Sequence, residues 1–348
     1  PSDNAPQSIV VSTPLRKAVL RDLLIGEVWV LGGQSNMAFA LGQVLDAPAE
    51  INAANYPNIR FFTVQPSNTA APIFDWREEM PAPYGRWYST SPATAGSQSA
   101  VGYYFGRMLH KELGVPVGLV NTSYGGATAQ AYTPIEALEG DSRLKANFVD
   151  PYKANPDMNV LVRPAELYNS MVHPLLPLSA RGVVWYQGEG NWGDYPIYPL
   201  LMKTLINGWR RNFAHSEMPF YYVQIAPWGF GQDTSSKEWF YTQGEAIGYA
   251  YMREAQALTR EQVSHSGMAV TMDVGDPDDI HPTNKCPVGE RLARLALNGT
   301  YGRSEVACLG PRYNSLKVEN GVVKLLFDNA EGLKTNDGQA PKHFYVAS

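Results

Sequence analysis

The sequence predicts an α/β fold, a doubly wound parallel β-sheet covered by helices on both faces. Three observations carry that prediction. Short β-rich apolar runs alternate along the chain with longer helical patterns, as a parallel sheet with crossover helices requires. The chain is 44% hydrophobic and 18% charged over 348 residues, enough apolar material for one large core at a length that α/β folds often fill as a single unit. Most of the strand-like runs also end in glycine or polar turns, the pattern of strand tips that carry chemistry.

The elements follow in order. Residues 28–31 form a buried-strand pattern that ends in Gly32-Gly33. A helical pattern over 101–113 is closed by Gly114 as the residue just past a helix end. Residues 117–120, 183–186, 220–225 and 268–272 are four further strands. Helical patterns lie near 200–211 and 239–258, and another follows His281 through residue 297. Two β-like runs around Asn320-Gly321, over 316–327, predict a hairpin. This divides the chain into a main domain over 1–310 and an appended β-segment over 311–348. Residues 65–96, rich in Pro, Ser, Ala and Thr with Trp76, Tyr84, Trp87 and Tyr88, are expected to form a long ordered loop or lid. Residues 139–165 are expected to be a second irregular excursion.

Composition excludes several partners. The net charge is −5 and no basic run is long enough to track phosphates, which argues against nucleic acid. No apolar stretch reaches the ~18 residues of a membrane helix. The start, Pro1-Ser2-Asp3-Asn4-Ala5-Pro6, is read as a processed N-terminus. The two cysteines, Cys286 and Cys308, lack metal or redox spacing. They are either two partly buried thiols or one disulfide. No cofactor or metal signature is present.

The strand tips deliver a hydroxyl, a glycine turn, a side-chain amide and an acid–histidine pair. They are Gly33-Gln34-Ser35-Asn36, Tyr124-Gly125-Gly126, Gln187-Gly188-Glu189-Gly190-Asn191-Trp192 and Asp278-Asp279-Ile280-His281. A serine hydroxyl becomes a useful nucleophile only when a base takes its proton and an acid orients that base. Ser35 follows two glycines directly after a strand. Alone it is an ordinary helix cap; beside a histidine it is a nucleophile. Of the six histidines, only His281 has carboxylates two and three residues upstream. His173 is a weaker candidate for substrate contact. The oxyanion of an ester-hydrolysis intermediate needs aimed donors, for which Ser35 N–H, Gly125 or Gly126 N–H and the Gln187 amide are candidates. Glu189 is expected to orient Gln187 or a loop, or to contact His281. No Gly-x-Ser-x-Gly elbow occurs, and Ser123 ranks below Ser35.

At these residues the sequence resembles the sialate O-acetylesterase family of the SGNH hydrolase superfamily. The resemblance runs in order through Gly26-Glu27-Val28-Trp29 with Gly33-Gln34-Ser35-Asn36-Met37, then Asn121-Thr122-Ser123-Tyr124-Gly125-Gly126. It continues through Gly182 to Glu189 and ends at Asp279-Ile280-His281-Pro282 with Lys285. It implies a three-layer α/β/α, flavodoxin-like fold, hydrolysis of O-acetyl groups on carbohydrates, and a secreted or periplasmic location. The implied roles are Ser35 as nucleophile, His281 as base, and Gly and Gln donors. Asp278 fits the superfamily spacing and is preferred as the acid; Asp279 fits the Asp-Ile-His-Pro of this branch. Gln34, Asn36, Glu189, Asn191 and Trp192 are supporting or substrate-contact candidates. The partner expected is an acetylated carbohydrate, either sialic acid or a plant polysaccharide. Rival readings are a glycan-binding module or inactive pseudo-enzyme, and a lipase- or thioesterase-like activity.

Overall fold

In the computed structural model, which describes residues 4–76, 80–229, 244–335 and 337–341, the apolar runs assemble side by side. Strands β3 (Glu27–Gly33), β6 (Val117–Asn121), β7 (Gly182–Tyr186) and β8 (Phe220–Val223) are buried along most of their length. With β4 (Tyr56–Thr63), β5 (Trp87–Thr90) and β9 (Ser266–Ala269) they form one seven-stranded sheet, in the order β5-β4-β6-β3-β7-β8-β9. All pairs are parallel except β4–β5.

The period-two alternation of strand side chains divides the core between two faces. Trp29, Leu31, Leu119, Val184 and Tyr221 point to one side, where helices α2 (Ala100–Leu113) and α5 (Cys286–Gly299) cover them. Val30, Val120, Val183, Trp185 and Tyr222 point to the other. Helices α3 (Tyr198–Asn212) and α4 (Gly244–Gln262) pack there. Ser99 caps α2 by accepting from Gly102 N at 3.1 Å, and Gly114 closes it at φ 67°. A short helix, α1 (Ser35–Ala38), follows β3 directly.

Because β4 and β6 lie on one side of β3 and β7–β9 on the other, the chain changes direction across the sheet at β3. Ligands of open α/β sheets bind outside the carboxyl ends of the strands at such a switch point. Ser35 emerges there.

Several expectations are revised. β4 was not foreseen: Pro57, Asn58 and Arg60 interrupt its apolar pattern, and pairing with β6 overrides them. The last strand of the sheet ends at Ala269 rather than residue 272; Val270 and Met272 are exposed beyond it. The 65–96 segment is not a plain loop. It contributes edge strand β5, and its first part is stitched to residues 166–170. Asn68 donates to Glu166 at 2.7 Å, Asn169 donates to the Thr69 and Ala70 carbonyls, and Trp76 Nε1 donates to the Ser170 carbonyl at 3.1 Å. Residues 135–162 form a series of short helical turns. The start of the expected 239–258 helix, residues 239–243, lies outside the described residues. An exposed antiparallel hairpin, β1 (Gln7–Ser12) and β2 (Lys17–Leu23), precedes the sheet. The expected C-terminal hairpin forms as β10 (Arg312–Glu319) and β11 (Val322–Asp328), turning at Asn320 (φ 50°) and Gly321 (φ 76°). Cys286 and Cys308 are free thiols.

Candidate active site

Ser35 owes its position to the glycine before Gln34. Gly33 has φ +127°, and a Cβ there would lie 2.1 Å from the Tyr186 carbonyl oxygen. Only glycine tolerates that conformation and approach. The turn lets Gln34 N donate to the same carbonyl at 2.9 Å and starts α1 at Ser35.

His281 arrives from the loop between β9 and α5. Its Nε2 lies 2.7 Å from Ser35 Oγ. Asp279 Oδ1 lies 3.7 Å from His281 Nδ1 and accepts from the His281 backbone N–H at 2.7 Å. Asp278 forms no hydrogen bond or ion pair with the ring; its backbone N–H donates to Asp276 Oδ1 at 2.9 Å. Of the two carboxylates, Asp279 is therefore the one beside the imidazole, contrary to the preference for Asp278. Partial burial holds the His281 pKa below its ordinary value; Asp279 opposes that shift and the Lys285 cation adds to it. The downward shift favours the neutral ring that a general base requires.

A buried polar chain ties this loop to α1. Lys285, 1% exposed, donates from Nζ to Asn36 Oδ1 at 2.5 Å. Asn36 Nδ2 donates to Glu189 Oε1 at 2.7 Å and to the Ile280 carbonyl at 3.0 Å, immediately before His281. The Lys285 ammonium also lies 4.9 Å from the Phe39 ring centroid, and that ring is stacked against His281. Burial lowers the Lys285 pKa to about 8 and raises that of Glu189. Glu189 Oε2 is buried without a hydrogen-bond partner. Glu189 therefore reaches the site through Asn36, not through His281 or Gln187. Neither the role of Lys285 nor that of Phe39 was legible beforehand, since nothing in spacing marks a lysine as buried.

Gln187 does not face the site. It is fully buried, and its Nε2 donates to the Ala127 carbonyl at 3.2 Å and to Asn191 Oδ1 at 2.8 Å. Both amide hydrogens are taken, so the expectation of a Gln187 oxyanion donor is corrected. Asn191 is likewise interior: it accepts from Ala129 N and donates to Gln130 and Asp194. The amide with open hydrogens is Gln34. Its Oε1 accepts from Gly190 N at 3.0 Å, which fixes its orientation, while its Nε2 has no acceptor among the described residues and is not sealed from solvent. Ser35 N–H and Gly125 N–H also lack acceptors there, and a Cβ on Gly125 would lie 3.8 Å from Ser35 Cβ. Gly126, at φ +76°, completes the turn.

Other candidates stand apart. Ser123 Oγ donates to Asn121 Oδ1 at 2.6 Å. His173 Nδ1 bonds with the Ile73 carbonyl at 2.7 Å and its ring meets Phe74 and Tyr168, so it anchors the 65–76 segment. Trp192 is half-buried and packs over Gly248 of α4. Trp87 packs on Phe62 and over Gly118, toward Arg21 and Pro116 rather than toward Ser35. Among the described residues no three His, Cys, Asp or Glu side chains converge as metal ligands, and no helix is long and apolar enough to cross a membrane.

This hydroxyl–imidazole pair with its free amide donors has the makings of an acyl-transfer site. The family model for carbohydrate esterases described as sialic acid-specific acetylesterase matches residues 25–298, which contain every element of the site. The chain belongs to this family. It is 31% identical to human sialate O-acetylesterase over 84% of this chain and 57% of that protein. Against mouse sialate O-acetylesterase it is 28% identical over 92% of this chain, and spans 65% of that protein's length. Among solved structures it resembles a carbohydrate acetylesterase from Xanthomonas citri at TM-score 0.78 and 33% identity, covering 92% of this chain and 67% of the other. The sheet and its covering helices are the fold expected of this family; the C-terminal hairpin lies beyond the matched residues.

Proposed function

We propose that this protein is a carbohydrate O-acetylesterase that works through an acetyl-enzyme on Ser35. The 2.7 Å approach of His281 Nε2 to Ser35 Oγ carries the reading. As Ser35 Oγ attacks the acetyl carbonyl carbon, its proton passes to His281 Nε2. The carbonyl oxygen becomes an oxyanion, met by Ser35 N–H, Gly125 N–H and Gln34 Nε2–H. His281 then gives its proton to the departing sugar oxygen, leaving acetyl-Ser35. Water attacks that ester while His281 takes its proton, and collapse of the second intermediate returns it to Ser35 Oγ and releases acetate. Asp279 stabilises the imidazolium formed in each half-reaction. Lys285, Asn36 and Glu189 hold the His281 loop against α1, so the proton transfers occur between fixed partners.

The test is acetate release from O-acetylated sialic acid, acetylated xylan and an aryl acetate, each with wild type and Ser35→Ala. Release by wild type that is lost in a folded Ser35→Ala protein is expected. Wild-type turnover retained in Ser35→Ala removes the serine from the mechanism. Retention of acetylated glycan without hydrolysis of any of the three esters favours a binding module instead.

A further inference from the structure

A cavity of about 440 Å3 opens between α1, the carboxyl ends of β4 and β6, and the 83–98 part of the long segment. That is within the ~300–1,000 Å3 range of small-molecule sites. Ala38 forms part of one wall, one helical turn from Ser35, and Asn121 and Ser123, just before the glycine turn, line it as well. The cavity adjoins the candidate active site on the side away from β7.

Its chemistry is specific. Asn121 is only 7% exposed, and its Oδ1 accepts both Ser123 N–H at 3.1 Å and Ser123 O–H at 2.6 Å. Those two donors fix the orientation of the amide. Its Nδ2 then has no partner among the described residues, yet it is not closed to solvent. A mostly buried amide donor left open at a cavity wall is available to an acceptor on a bound ligand, in exchange for water. Ser123 Oγ, donating to Asn121, keeps lone pairs for a ligand hydroxyl. Tyr84, Tyr88, Pro66 and Pro83 supply flat apolar surface from the neighbouring walls. Among the described residues, no Lys, Arg, Asp, Glu or His lines the cavity.

We propose that this cavity is a subsite for an uncharged sugar ring of the acetylated substrate, with Asn121 Nδ2 donating to a ring oxygen or hydroxyl and Tyr84 and Tyr88 packing against the C–H faces. The inference rests on the esterase reading and narrows its substrate class. A sugar carboxylate entering this cavity would shed its water without meeting a cation among the described lining residues, which is costly. A neutral glycosyl unit meets both of its needs here, apolar faces and hydrogen-bond partners. Lys285, the cation beside the candidate active site, is 1% exposed and already donates to Asn36.

Binding to Ser35→Ala protein, which holds substrate without turning it over, tests the subsite by calorimetry. The probes are O-acetylated xylo-oligosaccharide and O-acetylated sialic acid. The neutral probe is expected to bind at least tenfold more tightly than the charged one. Adding Tyr84→Ala or Asn121→Asp is expected to weaken the neutral probe by about tenfold, the scale of one lost contact. Asn121→Asp keeps the acceptor that Ser123 needs and replaces the open donor with a carboxylate oxygen that can only accept, so it decides the matter if Tyr84→Ala fails to fold. Unchanged affinity in a folded Asn121→Asp protein overturns the proposal, and so does tighter binding of the sialic acid. Aryl-acetate turnover by the Ser35-intact protein is measured in parallel: its absence defeats the esterase reading, while the binding data still judge the subsite.

Discussion

The two flanks of Ser35 treat their polar groups in opposite ways. Toward β7 and α5, Gln187, Asn191, Glu189, Asn36 and Lys285 are buried and joined to one another or to the backbone, with Glu189 Oε2 the one unpaired atom among these five side chains. At Asn121 on the β6 side, and at Gln34 itself, the amide oxygen is held in place by hydrogen bonds while the amide nitrogen is left open. A side chain with no hydrogen bond left to offer cannot recognise a substrate, but it can fix the groups that do. The difference separates scaffold from contact, even though both flanks consist of the same residue types.

Substitutions that cross this boundary should give graded effects. The largest belongs to His281→Ala, which should lower kcat/KM on an aryl acetate by on the order of 10⁴-fold; a loss below tenfold would show that another group takes the Ser35 proton. Next is the contrast between two glutamines. Gln34→Ala should reduce kcat by ~10²-fold, the scale of one oxyanion donor. Gln187→Ala should act chiefly through stability, by about 1–3 kcal/mol in urea unfolding, because it leaves buried acceptors unpaired. A ~10²-fold kcat loss in Gln187→Ala without destabilisation would reverse the assignment of scaffold and contact. Lys285→Met should cost stability as well, on the order of 3 kcal/mol, since Glu189 loses its buried counter-charge. Its rate loss should be smaller than that of Gln34→Ala.

The smallest effect is on pH dependence. Burial sets the His281 pKa below its ordinary value, so the acid limb of kcat/KM should fall below pH ~6.5. Lys285 disfavours a second positive charge on the ring, so its removal should move that limb to higher pH. A limb that stays fixed in Lys285→Met would mean that the lysine is too well screened to act on the histidine.

Reading the chain alone reached different depths in different places. Strands buried on both faces were legible because continuous apolar runs between turn signals have few other uses: residues 183–186 and 220–223 are such cases. β4 was not, because Pro57, Asn58 and Arg60 interrupt its apolar run and its place comes from pairing with β6. The hairpin at Asn320-Gly321 was legible because its turn demands positive φ at two positions, and few residue pairs accept that. The exposed β1–β2 hairpin lacks such a signal.

The sequence by itself determined which groups gather at the strand ends, because glycine turns after buried strands deliver the residues that follow them to one edge. Ser35 and His281 were named on that ground, and they lie within hydrogen-bond distance across 246 residues of chain. Only the tertiary structure decided which acid stands beside the imidazole, which glutamine keeps its hydrogens, and where the aromatic residues of the 65–96 segment point. The reason is physical: composition and spacing give a side chain its donors and acceptors, but whether those remain open depends on neighbours brought from elsewhere in the chain. Gln34 and Gln187 are chemically identical, and they differ because Asn191 and the Ala127 carbonyl meet the amide hydrogens of Gln187 and no described residue meets those of Gln34.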